Sequence, residues 1–396
     1  MSGFKMNLAE AARAVHTSVK SGWENIPLAG ISTDSRTIRP GELFVALRGG
    51  KYDGHDFLKD IFARGASAAV VAYKSREKLP GPRLVVPDTL YALGELAVYL
   101  RLRPRRKKLE VLAVTGSNGK TTTKEMLVRI LSRKCKVLAN KGNFNNRIGL
   151  PLTLFGLRPN HEAAVLEMGA NEPGEIARLT QIAHPDAGLV TNVGPAHLEG
   201  LGGITGVARA KGELFQGLDE EAVAVINLDD PQVVRQAGRA RCQKLTFGLN
   251  PQAEVRGKGL SQTSLKGSGF TLVTPEGQAK VNFPLLGRHN VLNALAAAAG
   301  ALALGLGLPD IAAGLEGFAP FPGRLELKVL SGPIYLLDDT YNANPASTAI
   351  ALEVLTSSRG KGRTVAVLGD MLEMGWTSRD QHRQIGKAAA DLGVDV

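Results

Sequence analysis

The 396 residues carry 48 Lys and Arg against 37 Asp and Glu, a net charge of +11, with 44% apolar and 21% charged residues. That balance excludes a disordered chain, and the length allows two to four domains at about 100–200 residues each. Two cysteines, Cys135 and Cys242, are too few for a disulfide framework or a Cys-based zinc site. They fit a reducing compartment, and the first thirty residues show no basic segment followed by an apolar run, so a cytoplasmic protein without a signal peptide is expected.

Residues 1–105 read as a small α/β domain. LFVAL (43–47) and AAVVAY (68–73) are strand-like, and 88–102 has an Asp N-cap with apolar residues at helical spacing. The run 101–108 (RLRPRRKK) holds six basic residues around Pro104 and marks a boundary. It reads as a solvated linker. No aromatic residues interleave with the charges, so no nucleic-acid partner is expected, whereas acidic substrates such as nucleotides suit the positive excess.

Residues 106–322 form the predicted central domain. VLAVT (111–115), AAVLEM (163–168), AGLVT (187–191) and AVAVIN (222–227) are buried strands separated by helical segments. That alternation predicts an α/β fold with a doubly wound, mainly parallel sheet. Region 244–284 lacks helical spacing and reads as a β-rich insertion. The apolar stretch 291–308, closed by Pro309, is mostly Ala and Gly and predicts a buried helix rather than a membrane span, so no membrane insertion is expected.

Residues 323–396 are a third, α/β domain. LELKVL (325–330), IYLLD (334–338) and TVAVLGD (364–370) read as strands, 345–357 and 378–392 as helices. The final GVDV has the composition of a further strand, so this sheet is expected to be unfinished and the domain truncated.

The strongest local signal is TGSNGKTTT (115–123), between a buried strand and a helix with Met126, Leu127, Ile130 and Leu131 on one face. Gly116 and Gly119 free the backbone to turn its N–H groups, with those of Ser117, Asn118 and Thr122, toward a phosphate. The helix start adds partial positive charge. Lys120 would reach the β- and γ-phosphates of ATP and Thr121 would bind Mg²⁺. Val114 stands at the first glycine of the longer phosphate-loop pattern, so the match is to G-x-x-G-K-T.

A phosphate loop by itself serves kinases, ligases, motors and switches. Glu167 ends its strand, at the edge where open α/β sheets bind ligands. It is a Mg²⁺ ligand or a surface acid. His197 follows AGLVT at the same edge, and alone would be a solvated loop histidine. Lys211, in AKGE, opens a helical stretch and is unremarkable by itself.

Taken together, these residues resemble the Mur ligase family of ATP-dependent amide ligases. The similarity spans nearly the whole chain: GSNGKTTT, EMGAN (167–171), TNVGPAHLEG (191–200) with AKGE (210–213), GRHNVLNALAA (287–297), PGRLE (322–326) and DDTYNANPAS (338–347). It implies a three-domain architecture around a central phosphate-loop ATPase domain. NFNNRIGLPLTL (143–154) and GDMLEMG (369–375) are similar to the branch that adds D-alanyl-D-alanine to UDP-N-acetylmuramoyl-tripeptide in peptidoglycan synthesis. DSRTIRPGELFVAL (34–47) and GGKYDGHDF (49–57) resemble its uridine-nucleotide domain.

The resemblance implies further roles. Glu167, His197 and a carbamylated Lys211 would join Thr121 at Mg²⁺, with Lys120 on the phosphates. Asn290 and Asn293 would contact adenine, Arg324 the phosphates and Asp339 the ribose. Ser35 and Arg36 match the uridine-diphosphate region, and Asn145 and Asn146 the polar loop near the donor substrate. Asp370, Glu373 and His382 are present in the third domain. A monomer is expected. The chemistry would run through an acyl phosphate attacked by the incoming amine. Two alternatives stay open: another Mur-type or folylpolyglutamate-type ligase, and a phosphate-loop binding protein without ligase activity.

Overall fold

The computed structural model describes residues 6–73, 81–103, 108–195, 198–262, 267–319, 321–332, 334–360, 362–372 and 374–396. Two compact units emerge. The first gathers 1–109, 138–164 and 181–184; the second gathers 110–137, 165–180 and 185–396.

In the first unit, strands Gly30–Ser32, Glu42–Val45, Ala68–Ala72 and Arg83–Val86 form a four-stranded parallel sheet in that order. Leu43, Val45, Ala68, Val70, Leu84 and Val86 point to one apolar cluster, which includes Leu93 and Leu96 of helix Thr89–Leu102. The period-2 alternation puts Phe44, Ala69 and Val71 on the opposite face, against Leu58 and Ile61. Asp88 caps the helix by accepting from the N–H groups of Leu90 and Tyr91 at 2.7 and 3.0 Å.

The second unit holds most of a nine-stranded sheet, two of whose strands, His161–Glu167 and Lys136–Ala139, lie partly in stretches that belong to the first unit. Strand Glu110–Thr115 lies between His161–Glu167 and Ala187–Val190. The order continues outward on one side through Val223–Asn227, Gln243–Gly248, Val255–Gln262, Ser268–Thr274 and Gly277–Phe283, and on the other to Lys136–Ala139. Ala187–Val190 pairs in parallel with both Glu110–Thr115 and Val223–Asn227. Chain order therefore reverses beside Glu110–Thr115, and such a switch point opens a crevice at the carboxyl ends of the strands. Region 244–284 is β-rich as expected, but it is no separate insertion. Its first strand continues the parallel run and its last two add an antiparallel edge to the same sheet.

The Ala-rich helix spans Arg288–Ala303 and is buried along most of its length. It stops at Ala303, and Pro309 instead sits in the first turn of the next helix, Leu308–Glu316, where a missing N–H costs nothing. Small residues let it lie close: a Cβ on Gly300 would stand 2.9 Å from Leu112 and 3.1 Å from Leu127. Among the described residues, no helix is long and apolar enough to cross a membrane.

The last part of the second unit has a hairpin, Glu326–Val329 with Tyr335–Asp338. Helices Pro345–Ser357 and Ser378–Asp391 follow. The expected strand 364–370 does not form. Thr364 and Ala366 exchange backbone hydrogen bonds with Asp395 and Val396, but Val367 is 93% exposed. Alternating apolar residues make a strand only where a ladder partner is present.

Candidate active site

The phosphate loop leaves the sheet at Thr115. Thr115 Oγ1 donates to Met168 O at 2.8 Å, and Met168 N donates to Val114 O at 2.8 Å, which fixes the carboxyl ends of the two neighbouring strands. Gly119 adopts φ +79° immediately before helix Lys120–Leu131. A Cβ there would lie 2.2 Å from Asn293 Oδ1, and one on Gly116 2.0 Å from Thr191 Oγ1. Both glycines are required by conformation and by close approach.

A second loop, after strand Ala187–Val190, braces the first. Ser117 N donates to Asn192 O, Ser117 Oγ bonds with Gly194, and Thr191 Oγ1 and Asn192 Nδ2 both donate to Asn118 O at 2.7 and 3.0 Å. Asn227, on the next strand, donates to Thr191 O at 2.7 Å. Three consecutive strand ends thus hold the phosphate loop rigid, as a preorganised anion site requires.

Thr121, in the first turn of the helix, donates through Oγ1 to Glu167 Oε2 at 2.9 Å. Both side chains are buried. The expected meeting of Thr121 with Glu167 is therefore present. Lys120 Nζ donates to Gly116 O and Ser117 O at 2.8 and 2.9 Å. Burial pushes its pKa down, with Arg324 adding to the effect and Glu167 opposing it. Lys211 is 2% exposed on helix Ile204–Gln216. Burial, and then the charge of Lys120, lowers its pKa to about 7, against the pull of Glu213, Glu175 and Glu167. A lysine so placed is readily neutral near pH 7. His197 lies outside the described residues, as does Glu373.

The crevice deepens into a cavity of about 330 Å³. Asn118, Gly119 and Thr122 form its phosphate side; Asn290 and Asn293 line it from the Ala-rich helix; Arg324 and Asp339 line it from the last part of the chain. Asn290 donates to Leu286 O at 2.9 Å and accepts from Asn293 Nδ2 at 3.3 Å, so the two amides orient one another. Arg324 Nη2 donates to Thr121 Oγ1 at 3.2 Å. Asp339 Oδ1 accepts from Leu325 N at 3.1 Å, and burial raises the Asp339 pKa to about 6.

Two residues, one lining the cavity and one beside it, carry no signal in the sequence for their place here. His289 lines the cavity, and burial lowers its pKa to about 4, leaving a neutral imidazole. Asn344 caps helix Pro345–Ser357 and donates through Nδ2 to Asn118 Oδ1 at 2.8 Å. The N-cap preference marks Asn344 locally, but nothing in the sequence links it to a residue 226 positions away.

The remaining candidates lie in the first unit. Arg36 is exposed and forks onto Asp34 at 2.8 and 3.0 Å, which holds the Asp34 carboxyl down at about 2. Ser35 stands between them. Asn146 Oδ1 accepts from the N–H groups of Ile148 and Gly149 at the start of helix Gly149–Leu154, and Asn145 N donates to Asn143 O.

Residues 27–101 match the Mur ligase family catalytic domain, 114–301 the Mur ligase middle domain and 323–396 the Mur ligase glutamate ligase domain. A relative from Escherichia coli, named UDP-N-acetylmuramoyl-tripeptide--D-alanyl-D-alanine ligase, is 43% identical over 94% of this chain and 81% of its own. Crystal structure I of MurF from Acinetobacter baumannii is similar over 100% of this chain and 85% of that one, with TM-score 0.92 and 37% identity. MurF ligase from Thermotoga maritima in complex with ADP is similar over 91% and 81%, with TM-score 0.81 and 31% identity. The chain belongs to the Mur ligase family.

Proposed function

We propose that this protein joins D-alanyl-D-alanine to UDP-N-acetylmuramoyl-tripeptide, converting ATP to ADP and phosphate, in peptidoglycan precursor synthesis. The observation that carries the reading is the buried Thr121–Glu167 pair beneath a braced phosphate loop, with a lysine of lowered pKa on a neighbouring helix. The names of relatives at up to 43% identity choose the dipeptide-adding reaction over the folylpolyglutamate-type and binding-only alternatives.

ATP is the energy source. The donor carboxylate does not react with an amine at neutral pH until an oxygen becomes a good leaving group. Transfer of the γ-phosphoryl group makes an acyl phosphate. The amine of the dipeptide attacks its carbonyl, and the tetrahedral intermediate expels phosphate. Lys120 offsets charge on the transferred oxygens. In this reading Asn290 and Asn293 hold adenine, Asp339 the ribose and Arg324 the phosphates.

The donors fit Mg²⁺. Among the described residues no cluster of three or more His, Cys, Asp or Glu side chains is present. Mg²⁺ takes few protein oxygens and completes its shell with water and phosphate. Thr121 and Glu167 would supply two oxygens and His197 a further ligand. Lys211, neutral near pH 7, would take up carbon dioxide, releasing a proton and becoming an anionic carbamate. When bound, the ion would neutralise charge on the phosphoryl oxygens.

Residues 1–105 are proposed as the uridine-nucleotide domain, with Ser35 and Arg36 at the diphosphate. We assign 106–322 to ATP, with Asn145 and Asn146 at the donor, and 323–396 to a C-terminal domain. The protein would act in the cytoplasm as a monomer. The test is ADP release with UDP-N-acetylmuramoyl-tripeptide, with and without D-alanyl-D-alanine and against single amino acids. Release that needs the dipeptide supports the reading. Release indifferent to any amine, or driven by glutamate, refutes it.

A further inference from the structure

The motifs PGRLE and DDTYN, separate in sequence, form one interlocked turn. Tyr341 N donates to Gly323 O at 3.1 Å, and Leu325 N donates to Asp339 Oδ1 at 3.1 Å. Leu325 is held at φ +49°, a left-handed conformation that a bulky residue adopts only under constraint. Between these anchors the guanidinium of Arg324 stands over the ring of Tyr341, 4.0 Å from its centroid. Phe321 packs edge-on against that ring, with centroids 6.5 Å apart at 76°.

The guanidinium is incompletely satisfied. Its Nη2 meets Thr121 Oγ1, whereas its Nε is buried with no hydrogen-bond partner among the described residues. A buried N–H without a partner costs stability, and the aromatic face offsets part of that cost through attraction to the cation. The Tyr341 ring is 45% exposed, so it is no core residue. Its hydroxyl makes no hydrogen bond among the described residues. What remains for the side chain is the flat face presented to Arg324.

We infer that Tyr341 is a positioning residue that holds the Arg324 guanidinium at the mouth of the phosphate loop, ready for the outer phosphates of ATP. The inference rests on the proposed contact of Arg324 with phosphate and adds the residue that orders it. Arginine has many rotamers, and freezing one before the ligand arrives raises affinity by lowering the ordering cost at binding.

The experiment is calorimetric titration with ATP and Mg²⁺, and with AMP, which shares base and ribose but lacks the outer phosphates. Tyr341→Leu, with Tyr341→Gln as a second ringless variant, should weaken ATP binding about three- to tenfold and leave AMP unchanged. Tyr341→Phe should restore ATP binding. Arg324→Gln should weaken ATP more, and the Arg324→Gln, Tyr341→Leu double variant should be no weaker than Arg324→Gln alone, because the ring acts through the arginine. Equal losses for ATP and AMP, additive losses in the double variant, or failure of Tyr341→Phe to restore binding would overturn the inference. Unchanged ATP affinity in Arg324→Gln would instead refute the phosphate contact itself.

Discussion

The two ends of the nucleotide cavity are built differently. At the phosphate end, strand ends brace the loop: Thr115 and Asn227 tie neighbouring strand ends together, while Thr191 bonds to the loop itself and Glu167 to Thr121 of the helix that follows it. At the other end, Arg324 and Asp339 ride on a turn of irregular backbone held by a few hydrogen bonds and a half-exposed ring. The first arrangement gives fixed geometry to the loop proposed to hold the reacting phosphate. The second holds its side chains through contacts between distant segments of chain. Substitutions at the phosphate end should therefore act on turnover, and those at the turn on affinity.

The largest effect is expected at Lys120. Lys120→Ala removes the cation proposed to face the transferred phosphoryl group, with its bonds to Gly116 O and Ser117 O but none of the strand-end hydrogen bonds, so the protein should fold. We expect kcat to fall by about 10²–10³-fold, measured by ADP release and with the melting temperature as a control. Near-normal turnover in a folded variant would erase the distinction between the two ends.

Lys211 tests the same end. Lys211→Ala should lose activity that bicarbonate cannot restore, since no amine remains to carry the carbamate. A short-chain carboxylate should recover part of it by supplying oxygens to the vacated space. Full activity of Lys211→Ala in bicarbonate-free buffer would exclude the role.

Asp339 sharpens the contrast through pH. Its carboxyl titrates at about 6 because burial disfavours the charge. A folded-state pKa above the ordinary value means that the protonated form stabilises the fold at low pH and that this stabilisation is lost as pH rises through 6. Nucleotide binding should move oppositely, because the proposed ribose contact uses the carboxylate. Between pH 7 and pH 5 ATP affinity should fall by about tenfold. Asp339→Asn, which keeps an oxygen for Leu325 N, should bind weakly and without that pH dependence. A pH-independent wild type would remove Asp339 from the site.

Much of this was legible in the sequence for reasons that follow the same divide. Phosphate-loop chemistry is local: a buried strand, two glycines, Lys-Thr and an amphipathic helix lie within about twenty residues. The strand-end position of Glu167 follows from a parallel sheet, which the alternation of strands and helices announces. The turn end depends on contacts between distant segments, and no local pattern reports that Tyr341 meets Arg324 or that Asn344 meets Asn118. The missing strand at 364–370 has the same origin: alternation in Val365 and Val367 records a preference that only a neighbouring ladder turns into structure.

The smallest effect is expected where the two ends touch. Asn344 has two separable jobs. Its Oδ1 accepts from Ser347 N at 2.9 Å and caps helix Pro345–Ser357, while its Nδ2 donates to Asn118 on the phosphate loop. Asn344→Ala removes both, so stability should fall by about 1 kcal/mol, the usual value of a cap, together with a few-fold rise in the KM for ATP. Asn344→Asp keeps the acceptor and places a negative charge at a helix N-terminus, where it is favourable, but it cannot donate to Asn118. Its melting temperature should match the parent while its KM for ATP rises as in Asn344→Ala, by roughly two- to tenfold for one lost hydrogen bond. If Asn344→Asp instead binds ATP like the parent, the contact with Asn118 is only a crossing point, and the hydrogen bond from Arg324 to Thr121 is what couples the turn end to the phosphate end.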